Sequence, residues 1–355
     1  MENKREREPL PDLLRGFAII LVVMGHCIQE GSGAAVQTEQ LYFGDRLYQL
    51  IYSFHMPLFM MVSGYLNWRS INQSATNRER ISLIKRRAAS LLVPIFLWTA
   101  MDYVRILILN FVNGNAQPEA LIFVYFYNAL HKLWFLWAVW WCFLIVCLMH
   151  YMFRDAIILY GLGFLLLFVI PDGLGLGAYK YMLPYFLFGY YAHDFMHGKR
   201  WQLDFKPRLW MLLLSGLAFA VLFVYYDEDI LIYLSGYKLI GKQVGRQLWI
   251  DCYRLIIGFV GSLFFILLWQ YLSVRNASVS GLNMLRRLGA DSMGIYILSE
   301  YFVIFLIQRF TWNVHPSYVL NAFEAVIVLA SAWMGTILLG RIPLLKRLVG
   351  KWDSI

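Results

Sequence analysis

The sequence predicts an all-α, polytopic integral membrane protein: a bundle of about ten transmembrane helices with both termini cytoplasmic. Three observations carry that expectation. Stretches of about 20 apolar residues, the length a helix needs to cross a bilayer, recur along the whole 355-residue chain. Charged side chains make up only 15% of it, against about 25% in a soluble domain, and mean hydropathy is +0.57. Lys and Arg also concentrate in alternate connections, as the positive-inside rule requires.

Taken in order, the spans fall near residues 13–29, 47–66, 88–110, 133–152, 155–171, 178–197, 209–226, 252–272, 291–310 and 318–340. The first is long and lacks a small-residue cleavage site, so it reads as a span rather than a secretory signal. The fifth is short and glycine-rich. Lys4, Arg5 and Arg7 precede the first span, and Arg69, Arg78, Arg80, Lys85, Arg86 and Arg87 crowd the second connection. The sixth connection holds Lys199, Arg200, Lys206 and Arg208, and the eighth Arg275, Arg286 and Arg287. Arg341, Lys346, Arg347 and Lys351 end the chain. This asymmetry puts Arg15 near the inner face and His26 toward the outer one. The longest outer connection, about 227–251, is polar and aromatic; it reads as a short interfacial helix or as a lip over a site. The stretch 121–132 lies along the outer interface before the fourth span. No internal repeat or appended hydrolase-like domain is evident, so 1–355 is read as one transmembrane domain.

Several function classes recede. The net charge of +9 is spread as membrane topology demands, so nucleic acid is not an expected partner. Cys27, Cys142, Cys147 and Cys252 lie in or beside apolar stretches without zinc spacing and read as small apolar packers. The seven histidines form no HExxH or comparable ligand set, so no metal is expected. His193 and His197, beside Asp194, read as an interfacial pair. Walker, dinucleotide and GxSxG signatures are missing.

The chemistry-bearing residues sit inside the spans. Arg15 and His26 are eleven residues apart, which leaves them about 20° apart around a helix and roughly 16 Å apart along it. Asp12 lies within about 40° of the same line. Ionisable groups in membrane helices face the bundle interior or a cavity. An imidazole can take a proton from a hydroxyl near physiological pH, so His26 reads as a general base; the alternative is a histidine that only bonds between helices. In FHMPLFMMVSGYLNW, residues 54–68, Pro57 bends the helix and His55 stands just before the bend. That segment is either a cavity wall or a kinked packing helix. Arg86 and Arg87 stand where the chain re-enters the membrane; they suit phosphates or anionic lipid. Asp102 with Arg105, Asp251 with Arg254, and Arg309 with Glu324 read as structural pairs. Glu300 has no evident partner and is a site candidate, while His131 reads as a cap or interfacial group.

Together these residues resemble the acyltransferase family 3 membrane proteins, which O-acetylate or otherwise acylate cell-surface carbohydrates. The resemblance rests on DLLRGFAIILVVMGH at 12–26, FHMPLFMMVSGYL at 54–66 and RRxxxLLVP at 86–94, with weaker echoes in LWFL at 133–136 and SMGIYIL at 292–298. The FHMP form is similar to the fucose 4-O-acetylase-like branch. The resemblance implies about ten helices, a cytosolic acyl-CoA donor (acetyl-CoA above all) and an acceptor at the outer face of the cell membrane. It implies His26 as catalytic base, Arg15 as its partner, a less defined role for His55, and Arg86 and Arg87 at the donor. Many relatives carry a histidine where this chain has Ser299, so any function of that group is absent or moved to Glu300. The expected activity is transfer of an acyl group to a hydroxyl of a surface glycan or its lipid-linked precursor, in contact with membrane lipid, in a pocket reached from both compartments. A homo-oligomer is left open. The rivals are a transporter or flippase of a small anionic or glycan substrate, and a sensory or assembly protein with a degenerate site.

Overall fold

The computed structural model describes residues 8–31, 41–113, 118–153, 157–172, 176–197, 208–237, 243–275, 280–311 and 317–351, among which there is no strand. The long helices are α1 (Pro9–Glu30), α2 (Arg46–Gln73), α3 (Asn77–Val112), α4 (Pro118–His131), α5 (Trp134–Phe153), α6 (Ile157–Val169), α7 (Leu176–His197) and α8 (Leu209–Val224). A short α9 (Ile232–Ser235) follows, then α10 (Val244–Arg275), α11 (Ser280–Ala290), α12 (Ser292–Leu306) and α13 (Tyr318–Arg341). Among the described residues six helices are long and apolar enough to cross a membrane: α1, α3, α5, α10, Ser292–Thr311 and α13. Shorter apolar helices are α6 and α8. The protein is therefore an all-helical, multi-pass membrane protein.

Local chemistry sets several boundaries. The basic run at 78–87 is helix rather than connection: Thr76 caps α3 by accepting from the Glu79 amide, and the Glu79 carboxylate accepts from the Thr76 amide. That reciprocal cap stabilises a helix end in water, so α3 extends beyond the apolar stretch. Likewise α2 continues unbroken past Pro57 to Gln73, its start fixed by the Asp45 carboxylate accepting from the Tyr48 amide at 2.8 Å. Residues 280–290, expected as part of a connection, form the amphipathic α11, with Arg287 exposed away from its buried Leu282 and Leu288 and Arg286 half-buried.

Helix α1 is central, packed by α2, α11, α12, α13 and α10. Its crossing with α11 is backbone to backbone. A Cβ on Gly16 would run into the Leu285 carbonyl, and one on Gly289 into the Asp12 carbonyl. The same device joins α2 to α7 through Gly64 and Gly189. Small residues permit such approach in a bilayer, where apolar burial supplies no drive between helices.

Of the expected pairs, Asp251 and Arg254 meet at 3.0 Å and are fully buried. Asp102 holds Arg105 at 3.4 Å but also Lys132 at 2.5 Å. Arg309 and Glu324 form no ion pair among the described residues: Arg309 sits exposed in the wide turn Ile307–Thr311, whereas Glu324 is buried on α13. His193 stacks on Trp68 at 4.4 Å; the side chain of His197 lies outside the described residues. Cys27, Cys142 and Cys147 are buried and Cys252 is exposed, all with free thiols.

Candidate functional site

One face of α1 defines the site. Arg15, Ile19 and Val22 line a cavity of about 120 Å³; one and two turns on, His26, Gln29 and Glu30 line a second of about 360 Å³. The period of 3.6 residues keeps all six on one stripe. We call these the arginine and histidine cavities. Arg15 and His26 thus line two cavities rather than the one pocket expected, and Tyr296 lies on the wall of both.

Helix α2 runs antiparallel along the same path. Tyr48 and Tyr52 face the histidine cavity, and Met56, Phe59, Ser63 and Asn67 the arginine cavity. Beyond it, Ser70, Gln73 and Ser74 join Arg78, Ser82 and Arg86 of the next helix around an open groove of about 450 Å³. From Tyr48 to Ser74 the rise is about 39 Å, against about 30 Å for a hydrocarbon core. A single helix thus carries three successive openings over a length comparable to a bilayer.

At the arginine end, the Arg15 guanidinium donates to the Asp12 carboxylate at 2.5 Å. Arg87 enters the same cavity and donates from Nε and Nη2 to Asn67 Oδ1 at 3.0 and 2.6 Å, its group lying over the Phe143 ring at 5.9 Å. Arg86 diverges: successive helix positions differ by about 100°, and its side chain is exposed in the groove beside Arg78 and Glu79. The two arginines expected to act side by side therefore serve different openings.

At the histidine end the His26 ring makes no hydrogen bond among the described residues. Glu300 of α12, His131 and Lys132 line the same cavity. Lys132 is aimed by Asp102 and lies 5.6 Å from the centre of the Tyr301 ring. The corner after it is made by Leu133 at φ 52°, a left-handed conformation uncommon outside glycine. That corner turns Lys132, Leu133 and Trp134 together onto the cavity wall. His131 donates from Nδ1 to the Tyr127 carbonyl at 2.8 Å. His55 is on neither cavity wall. It is buried, bonded through Nδ1 to the Ile51 carbonyl at 2.6 Å, and close enough to His26 to interact electrostatically.

Aromatic rings complete the histidine cavity. Tyr48 and Tyr52 stack at 3.9 Å, Tyr233 meets Tyr52 edge-on at 6.0 Å, and Trp134 meets Tyr233 at 6.3 Å. Tyr233 comes from α9, so the 227–237 segment supplies both a short helix and a lip; residues 238–242 of that connection lie outside the described residues. Arg254 fixes this lip. Its guanidinium donates to the carbonyls of Ile230 (2.5 Å) and Gly236 (2.7 Å), to Asp251, and to the Ser235 hydroxyl. Five fixed donors in a plane suit Arg for this task. Behind it, Asp172 accepts from the Tyr237 amide at 2.7 Å and pairs with Lys180.

Sequence reasoning missed Asn67, Lys132, Tyr296 and the Tyr48–Tyr52–Tyr233 wall. Asn67, Tyr48 and Tyr52 lay on the helical stripe through Met56 and Ser63 and were findable by period. The contribution of Tyr233 needs the tertiary fold. Among the described residues no cluster of three metal-ligating side chains forms.

A family model described as an acyltransferase domain matches residues 10–341. Nodulation protein NolL of Sinorhizobium fredii is 33% identical over 128 residues, 36% of this chain and 32% of that protein. Nodulation protein NolL of Mesorhizobium japonicum is 24% identical over 266 residues, 69% of this chain and 68% of its own. The chain thus spans about a third of the first relative's length and about two thirds of the second's. No solved structure matches it significantly.

Proposed function

From the premise that the chain belongs to acyltransferase family 3, we propose that residues 1–355 form one membrane O-acyltransferase unit of ten spans with both termini in the cytoplasm. It moves an acetyl group from acetyl-CoA to a hydroxyl of a cell-surface glycan or its lipid-linked precursor, in the cell membrane. The observation that carries this reading is the succession of openings along α2, cationic at one end and lined by imidazole, carboxylate and aromatic rings at the other.

The donor's phosphates meet Arg86 and Arg78 in the groove, and Arg87 and Arg15 hold its arm in the arginine cavity. Guanidinium forks suit phosphate oxygens and carbonyls. The thioester then comes within reach of the histidine cavity. His26 takes the proton of the acceptor hydroxyl as its oxygen adds to the thioester carbonyl. The C–S bond breaks, the sulfur receives the proton and coenzyme A leaves as the thiol. Glu300 and Lys132 orient the acceptor's other hydroxyls, and the tyrosine wall offers ring faces to its carbon-bound hydrogens. His55 acts through His26, as a positioning residue behind it.

The test is purified protein in proteoliposomes with radiolabelled acetyl-CoA and candidate glycans. Loss of a general base costs about 10² to 10⁴ in rate, so His26→Ala is expected to lose that much transfer while inserting normally. Near-normal transfer by that variant removes His26 from this role. Glycan movement across the membrane without label transfer overturns the reading in favour of a transporter.

A further inference from the structure

The walls of the two cavities have one residue in common, Tyr296. On α12, Ser292 and Met293 face the arginine cavity, Glu300 and Ile304 the histidine cavity, and Tyr296 both. These positions follow i, i+3, i+4 spacing and so form one line along the helix. Tyr296 is only 7% exposed, its ring set edge-on to Phe135 at 6.0 Å. Phe135 stands in the first turn of α5. A third void of about 20 Å³ has Met56 in common with the arginine cavity and Tyr52 and Trp134 in common with the histidine cavity. That volume holds about one water.

A thioester needs a division of this kind. The histidine cavity is polar and roomy enough for many waters, and water competes with an acceptor hydroxyl for the same carbonyl. In that side reaction water adds to the carbonyl carbon, the C–S bond breaks, and acetate, a proton and coenzyme A thiol result. Exclusion of water from a reactive intermediate is a recognised contribution of an enclosed site.

Resting on the acyl-transfer reading above, we propose that Tyr296 is a positioning residue that partitions the donor and acceptor cavities and sets the ratio of acyl transfer to hydrolysis. The bulk of the ring, seated against Phe135, keeps acceptor-side water from the thioester.

Two measurements test this. The first compares coenzyme A release from acetyl-CoA without acceptor with label transfer when acceptor is present. Tyr296→Ala is expected to raise acceptor-free release about tenfold or more and to lower transfer; Tyr296→Phe, which keeps the ring, holds the wild-type ratio. The second needs no turnover. Val22→Cys places a thiol in the arginine cavity, and a small charged methanethiosulfonate reagent is applied from the face onto which the histidine cavity opens, with modified peptides located by mass. Cys at 22 is expected to react with Tyr296→Ala and to stay protected with tyrosine or phenylalanine. Equal labelling with tyrosine present, or Tyr296→Ala releasing coenzyme A no faster than wild type, overturns the proposal. Labelling that follows Tyr296 in a protein that never consumes acetyl-CoA upholds the partition and overturns the acyl-transfer reading instead.

Discussion

Removing Asn67 tests how the donor is held. Its amide oxygen accepts two bonds from the Arg87 guanidinium, at 3.0 and 2.6 Å, and aims that group into the arginine cavity. Hydrogen bonds to charged groups contribute about 1.5 to 3 kcal/mol, and each 1.4 kcal/mol is about a factor of ten in an equilibrium. Asn67→Ala is therefore expected to lower kcat/KM for acetyl-CoA by about 10- to 150-fold. The Phe143 ring beneath the guanidinium keeps it roughly in place, which pulls the value toward the lower end. The assay is initial-rate label transfer with donor and acceptor varied in turn, at matched levels of folded protein in detergent. The loss should fall on the donor KM and leave the acceptor KM within about twofold. Asn67→Asp keeps the geometry but neutralises Arg87, so it too should weaken the donor. If Asn67→Ala instead raises the acceptor KM with the donor KM untouched, the assignment of the arginine cavity to the donor is wrong.

Other expectations follow from the same geometry. Arg254→Lys has three donors on a point charge in place of a planar fork, so the lip bearing Tyr233 loosens; the acceptor KM is expected to rise about tenfold and the melting temperature to fall, as kinetics and a thermal-shift assay will report. Arg254→Leu strands the buried Asp251 carboxylate and is expected to cost about 3–5 kcal/mol, read as loss of folded protein on size exclusion. Gly289→Ala drives a methyl group into the Asp12 carbonyl, a backbone atom that cannot rotate away. It is expected to lower thermal stability by about 1–3 kcal/mol and, by displacing Asp12, to weaken the donor end; unchanged melting would show that this crossing relaxes without strain.

Much of the site's skeleton was legible. Arg15 and His26 lie on one stripe because an ideal helix returns to the same face after eleven residues, and that arithmetic survives packing. The Asp251–Arg254 pair was readable for the same reason, but its task, clasping a segment more than fourteen residues away in sequence, was not. Arg86 and Arg87 illustrate the opposite failure. Adjacent cationic residues in a string look like one site, yet on a helix they point about 100° apart. The extension of α3 was written in Thr76 and Glu79, a capping signal masked by the charges after it. Arg309 and Glu324 share a depth but not an environment, which depth alone does not reveal. Tyr233 and Lys132 reach the cavity through a lip and a left-handed corner, and no local period encodes either.

The length of the path along α2 has one more consequence for a cell. If the reaction proposed here takes place between the two cavities, the coenzyme never has to leave the compartment that makes it, nor the glycan the surface it decorates. Only a two-carbon fragment changes sides, and it does so as part of a bond exchange. Supply of activated donor on one side would then suffice to drive decoration on the other, with no dedicated exporter for either substrate.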